Sequence, residues 1–357
     1  MMAVASKHGF LALLLALAGL GSPCLAAEQN PDEVADAWDR PALSSRADAH
    51  SFMTSVALAG SRQIAVGERG LILLSGDRGT HWTQAPVPVS VTLTDVDFFD
   101  ANTGYATGHS GVVLATTDGG AHWQVVLTGE QIARILLAEA EASGNDHALR
   151  AANYLVQDGP DKPLFDLLVL SAKHLIVVGA YGLALESNDG GATWSDWAQR
   201  LNNVMGLHLY GIRTQGQRWL VFGEQGLVRL SVDNGHSFSE LETPYPGSFF
   251  TGEITAGGRL VLAGLKGNTL VSADDAGQHW QEMSNPVAAT ITSSLYQDGE
   301  LLLVNQAGHI LRETNGALLP VINKKLPPLN HLVRTQDGGL LAASVRGIIS
   351  IESGDVQ

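Results

Sequence analysis

The chain has 357 residues, with 36 acidic against 21 basic side chains and a formal net charge of -15; this excludes phosphate-backbone binding, which needs a dense Lys/Arg surface to replace counterions. Apolar residues make up 45% and charged residues 16%, enough to fill the core of one large all-β domain or two ordinary ones. Forty glycines against 13 prolines indicate many tight turns rather than a disordered linker.

The first 26 residues read as a Sec-type signal peptide: Lys7 supplies a basic start, Phe10 to Leu20 an apolar run, and Cys24-Leu25-Ala26 a small-x-small cleavage site. The run is too short to span a bilayer of about 30 Å comfortably, and Pro23 argues against lipoprotein processing at Cys24. Cleavage after Ala26 removes the only cysteine, so the exported chain has neither a thiol nucleophile nor a Cys-ligated metal. The expected location is the periplasm, with secretion as the second choice. Residues 27–357 then form a single domain.

From residue 65 onward the sequence repeats itself. "AVGERGLILLSGDRGTHW", "ATGHSGVVLATTDGGAHW", "VVGAYGLALESNDGGATW", "VFGEQGLVRLSVDNGHSF" and "LAGLKGNTLVSADDAGQHW" superpose, and two weaker copies follow. The second glycines, Gly70, Gly111, Gly182, Gly226, Gly267, Gly308 and Gly347, recur at about 41 residues, except for one interval of about 71. Apolar stretches cut by glycine turns at this period predict four-stranded propeller blades. The expected fold is an all-β, seven-bladed β-propeller. In the second unit "TDVDFF" is the innermost strand, followed outward by "GYATG", "VVLATT" and "HWQVV". The last unit ends after its third strand, so its outer strand is expected from residues 33–48 around Trp38, closing the ring without an open sheet edge.

The long interval holds residues 129–158, rich in Ala, Glu, Leu and Arg, with Ile132, Ile135, Leu136 and Ala140 on one helical face and a break at "ASGND". This predicts a helical hairpin between the outer strand of blade 2 and the inner strand of blade 3. It packs on the propeller's side or docks a partner.

Three copies, "SGDRGTHW", "TTDGGAHW" and "SNDGGATW", share SxDxGxxW with Thr or Ser first, and "SVDNGHSF" is a variant. The chain here resembles the BNR or Asp-box repeat propellers. In such a turn the carboxylate accepts backbone N–H bonds, the glycine takes a positive φ and the aromatic ring packs between sheets. Asp77, Asp118, Asp189 and Asp233, with Trp82, Trp123, Trp194 and Phe238, are therefore structural. Sialidases share this motif, but they need an arginine triad, a Tyr–Glu pair and an acid, and no such pattern is found here. A glycoside hydrolase or carbohydrate-binding propeller is the alternative reading, by analogy.

The pairing of these turns with "VGERG" and "TGHSG" segments is similar to the photosystem II stability/assembly factor-like family. The resemblance covers most of residues 55–355. It implies a seven-bladed, non-enzymatic propeller without a cofactor that helps assemble a membrane protein complex and acts on a protein partner. The chain departs from that family in its helical insert and in its acidity, where the family is thought to use an arginine patch. An exported bacterial relative, monomeric and serving an envelope complex, is the expectation.

Candidate partner-binding residues are the tips of the turns between second and third strands, on the face opposite the aspartates: Glu68 and Arg69, His109, Tyr181, Glu224, Lys266 and Arg346. Their glycines repeat while the tips vary, as in a recognition surface or as in ordinary solvated turns. His81, His122 and His279 belong to separate blades, and no HxH, HExxH or tight carboxylate cluster appears, so no metal site is expected. Trp194 and Trp197 lie close in sequence and serve either packing or contact with sugar or lipid.

Overall fold

The computed structural model describes residues 35–44 and 49–355, so the signal-peptide segment lies outside the described residues. Glycine turns cut the apolar runs into short antiparallel strands, which form seven separate sheets, six of four strands and one of three. The innermost strands are Met53–Ala59, Leu93–Phe98, Leu164–Val169, Leu209–Gln215, Phe249–Ile254, Ile291–Gln297 and Leu329–Arg334. Each packs on the next, and the seventh packs on the first, so the sheets close into a propeller ring. Second strands such as Gly104–Gly108, Leu175–Gly179 and Leu260–Gly264 are buried at every position, because neighbouring blades cover both of their faces.

Every inner strand carries a β-bulge one residue after its start, at Thr54, Thr94, Phe165, Tyr210, Phe250, Thr292 and Asn330. A bulge re-aims the side chain of the extra residue. In four blades that side chain reaches the next blade. Thr54 Oγ1 donates to Leu93 O at 2.7 Å, Thr94 to Leu164 O at 2.7 Å, Thr292 to Leu329 O at 2.7 Å, and Asn330 Nδ2 to Met53 O at 2.6 Å.

The expected fourth strand of the last blade is not found among the described residues. Its sheet is Leu329–Arg334, Leu340–Ser344 and Gly347–Ile351. Residues 36–44 lie instead against blades 1 and 2: Ala42 N donates to Val87 O at 3.0 Å, Ser90 N to Ala37 O at 2.7 Å, and Trp38 packs against the cluster that includes Val87 and Val89. The ring closes by side-chain packing of Met53, Val56 and Leu73 on Leu341 and Ala343, with Ile348 N donating to Ala49 O at 2.7 Å.

Between the outer strand of blade 2 and the inner strand of blade 3 stand two helices, α1 (Gly129–Ser143) and α2 (Asp146–Asp158). A capping box formed by Thr128 and Gln131 starts α1, Gly144 ends it at φ 64, and Asn145 Oδ1 caps α2. Ile132 joins the core between blades 2 and 3. The Glu139 carboxylate accepts from Asp196 N at 3.2 Å, fixing α1 on the outer strand of blade 3. No helix among the described residues is long and apolar enough to cross a membrane.

Replacing Asn330 by Ala removes the side-chain bond from the last blade to the first, and is expected to destabilise the protein by about 1 kcal/mol. In urea unfolding the midpoint falls with the slope unchanged; an unaltered midpoint would show that closure does not use this bond.

Candidate functional site

Along each blade the chain runs alternately up and down, so the 3–4 turns lie on one face of the ring and the 2–3 turns on the other. On the first face, Asp77 Oδ1 accepts from Ser75 Oγ at 2.8 Å and His81 N at 2.9 Å, while Oδ2 meets His81 Nδ1 at 2.6 Å. Trp82 Nε1 donates to Gly79 O at 3.1 Å, and Gly79 takes φ 82. The same bonds recur at Asp118 with Thr116 and His122, at Asp189 with Ser187 and Thr193, and at Asp233 with Ser231 and Ser237. Trp123 and Trp194 repeat the ring-to-glycine bond, and Phe238 packs against Trp197. Hydrogen bonding from the His81 backbone N–H lowers the Asp77 carboxyl to about 2, and bonding from the His122 side chain lowers Asp118 likewise. These carboxylates are saturated by their own turns. Trp197 is fully buried, so the Trp194–Trp197 pair serves packing.

On the opposite face the tips share one backbone. Gly67 N donates to Leu71 O at 2.9 Å and Gly70 N to Val91 O at 2.6 Å. A Cβ on Gly67 would lie 2.2 Å from Phe52 O, so this position requires glycine. The second tip residue sits in the left-handed region at Arg69, Ser110, Tyr181, Gln225 and Lys266, so that strain belongs to the turn and not to any one blade. Glu68, Arg69, His109, Tyr181, Lys266 and Arg346 are exposed and Glu224 half-buried. Apart from the neighbours Glu68 and Arg69, they stand on separate blades.

The Tyr181 backbone N–H donates to His208 Nδ1 at 2.8 Å, the Tyr181 ring meets His208 edge-on at 5.0 Å, and Glu224 Oε2 accepts from His208 N at 3.1 Å. His208 continues to Phe165 and Tyr210 at 6.1 Å each, Phe165 lies 5.5 Å from Tyr210, and Tyr210 lies 4.9 Å from Phe250. An aromatic arc thus follows the channel rim across blades 3 to 5. Phe165, Tyr210 and Phe250 occupy the bulge positions where blades 1, 2 and 6 carry threonine. Sequence reasoning missed this arc; aligning the inner strands, rather than the glycine turns, reveals it.

Inside the channel the inner strands bring together groups that are far apart in sequence. Arg213 Nη1 donates to Asp166 Oδ2 at 2.6 Å, Ile212 N donates to the same oxygen at 2.7 Å, and Ser294 Oγ donates to Glu253 Oε1 at 2.8 Å. Ser55 Oγ donates to Asp95 Oδ1 at 2.7 Å and lies 3.2 Å from His331 Nδ1. These groups and Asp97 line a cavity of about 430 Å³ that runs out to Leu58, Gln297 and Arg334 beside the aspartate turns. The expectation of no tight carboxylate cluster is therefore corrected: Asp95, Asp97, Asp166 and Glu253 converge from three blades, Asp95 and Asp97 from the same strand. Burial raises all four carboxyls, Asp97 to about 6, and Arg213 opposes the rise. Burial also lowers His331 to about 4. Among the described residues no His/Cys/Asp/Glu group has the geometry to hold a metal ion.

The family model described as photosynthesis system II assembly factor YCF48 matches residues 80–141 and 151–349. Residues 142–150, around the turn between α1 and α2, fall between the two matched ranges. A curated relative, the photosystem II assembly lipoprotein Ycf48 of Synechococcus sp. (strain CC9902), is 28% identical over 130 residues. That stretch covers 35% of this chain and 38% of the relative, so the chain spans well under two thirds of the relative's length. Among solved structures, "YCF48 bound to D1 peptide" aligns with TM-score 0.64 at 14% identity, covering 85% of this chain and 94% of that one. YCF48 from Cyanidioschyzon merolae aligns with TM-score 0.63 at 13% identity, covering 85% and 97%. The WD40 propeller domain of Doa1, with TM-score 0.63 at 11% identity over 87% and 95%, shows that at this distance similarity reports the fold.

The channel gives a pH prediction. Asp97 titrates near 3.8 when unfolded and near 6 when folded, so its own contribution to stability falls as pH rises across that window. Asp97→Asn cannot ionise, so its urea midpoint should gain on that of the wild type between those values. A difference that stays constant with pH refutes burial as the cause.

Proposed function

The chain belongs to the photosynthesis system II assembly factor Ycf48 family, whose model matches well over half of it, and on that premise we propose an exported, non-enzymatic, monomeric propeller that holds a protein partner during assembly or stabilisation of an envelope membrane complex. The observation that carries this reading is the contrast between the two faces. On one, the aspartates and their aromatic partners are consumed by turn building. On the other, one backbone turn displays exposed and dissimilar side chains at Glu68, Arg69, His109, Tyr181, Lys266 and Arg346, as a recognition surface does. A solved relative is described as bound to a D1 peptide, and for this chain we carry over only the class of ligand, a peptide segment of a protein.

A second reading, a carbohydrate-binding channel, has one observation in its favour: Arg213 converges with carboxylates in the central cavity. Arg213 Nη1 is bonded to Asp166 Oδ2 and to Ile212 O, so a carboxylate of the chain itself already offsets the charge.

Deleting the gene is expected to shift the membrane complexes toward partly assembled forms on native gels. The wild-type gene restores them, while a triple replacement of Arg69, Tyr181 and Arg346 by alanine does not, although its melting temperature is unchanged. An unaltered membrane-complex profile in the deletion strain refutes the assembly role.

A further inference from the structure

The groove that α1 and α2 form with blade 3 is walled on one side by Leu136, Ala148 and Leu155 and on the other by Tyr181, Val204 and Met205, and it encloses about 410 Å³. Val204 is 72% and Met205 78% exposed, among the highest values for large apolar side chains in the described chain, and they sit side by side in the loop that follows blade 3. Tyr181 joins the groove to the aromatic arc, so apolar surface continues from the helices to the channel rim. A contiguous exposed apolar patch edged by charge marks an interaction site rather than a scatter of surface residues. The edging is one-sided. Glu139, Asp158 and Asp196 line the groove against the single ammonium of Lys162, which is itself paired with Asp161 and lies 3.7 Å from Asp158.

We propose that this groove docks an amphipathic helical segment of the partner, apolar on the face it buries and bearing Lys or Arg along its flanks. The proposal rests on the protein-holding role above and specifies where and by what chemistry the partner is gripped. A helix with apolar residues at i, i+3, i+4 and i+7 matches a groove walled by another helix. The alanines at 148, 151 and 152 keep the wall of α2 low, so that a second helix axis can come close. Surplus carboxylate at the edge favours basic flanks and opposes acidic ones, which sets selectivity and encounter rate more than raw affinity.

The test uses the purified chain and three labelled peptides of defined sequence: leucine and lysine in helical period, leucine and glutamate in the same period, and the leucine–lysine composition in strict alternation. Fluorescence anisotropy should detect binding of the first only, and Val204→Glu with Met205→Glu should weaken it by roughly tenfold or more. Both positions are exposed, so the double variant should melt like the wild type. Equal binding of the acidic peptide refutes the charge argument, equal binding of the alternating peptide refutes the helical occupant, and binding untouched by the double variant refutes the groove. Sedimentation that shows a dimer broken by the same variant assigns the groove to a second copy of this chain, and variant-sensitive adsorption to phosphatidylcholine vesicles assigns it to lipid; either result overturns the proposal. Because the measurement is made on purified protein, failure of the assembly role in the deletion strain leaves its outcome standing.

Discussion

A propeller blade has two apolar faces and cannot cover either by itself. That constraint explains why the second strands are buried along most or all of their length and why the cores lie between blades rather than within them. Seven such cores occupy the seven interfaces, and the one joining Met53, Val56 and Leu73 to Leu341 and Ala343 makes the arrangement a ring. Were that seam open, two blades would each expose an apolar face, and burial is worth roughly 25 cal/mol per Å². Among the described residues no strand from the N-terminal stretch joins the last blade, and the closing interaction is packing supplemented by side-chain bonds such as that of Asn330 to Met53 O.

Once the interfaces carry the stability, the two ends of the blades are free to differ. The aspartate turns use that freedom least. The turn must leave the third strand and enter the fourth at fixed spacing, and a carboxylate that accepts backbone N–H groups locks it. The repeated Ser or Thr two residues earlier secures the glycine N–H, so the unit needs no neighbour. The tips constrain only their glycines, which must pass close to a carbonyl of the inner strand.

This division accounts for what was legible in the sequence. The glycine period marked all seven blades, because backbone requirements select residue type directly. The helices were legible because their 3.6-residue period interrupts a pattern of strands. The role of residues 36–44 was not, because an exposed stretch around one tryptophan reads equally as a strand or as a strap, and only the packing of Trp38 against the cluster that includes Val87 and Val89 distinguishes them. The channel cluster was hidden for a different reason. Asp166 looks like a single polar break in an apolar strand, while Asp95, Arg213 and Glu253 share their strands with other polar residues, and only the closed ring brings the four into one site.

The bulge positions show where the fold has yielded to something else. Threonine there spans to the next blade with a bond worth about 1 kcal/mol. Blades 3 to 5 give up that bond and carry Phe165, Tyr210 and Phe250 instead. Ring contacts among the three offset part of the loss, since aromatic pairs are worth about 0.5–1.5 kcal/mol, but folding alone gives no reason for the replacement to fall on consecutive blades. Of these, blade 3 packs against α1 and, with the loop after it, carries Tyr181 and the exposed Val204–Met205 pair. Local rules tend to be broken where function is placed. The break in the sevenfold pattern thus begins at the blade that carries the proposed groove, and the two features meet at Tyr181.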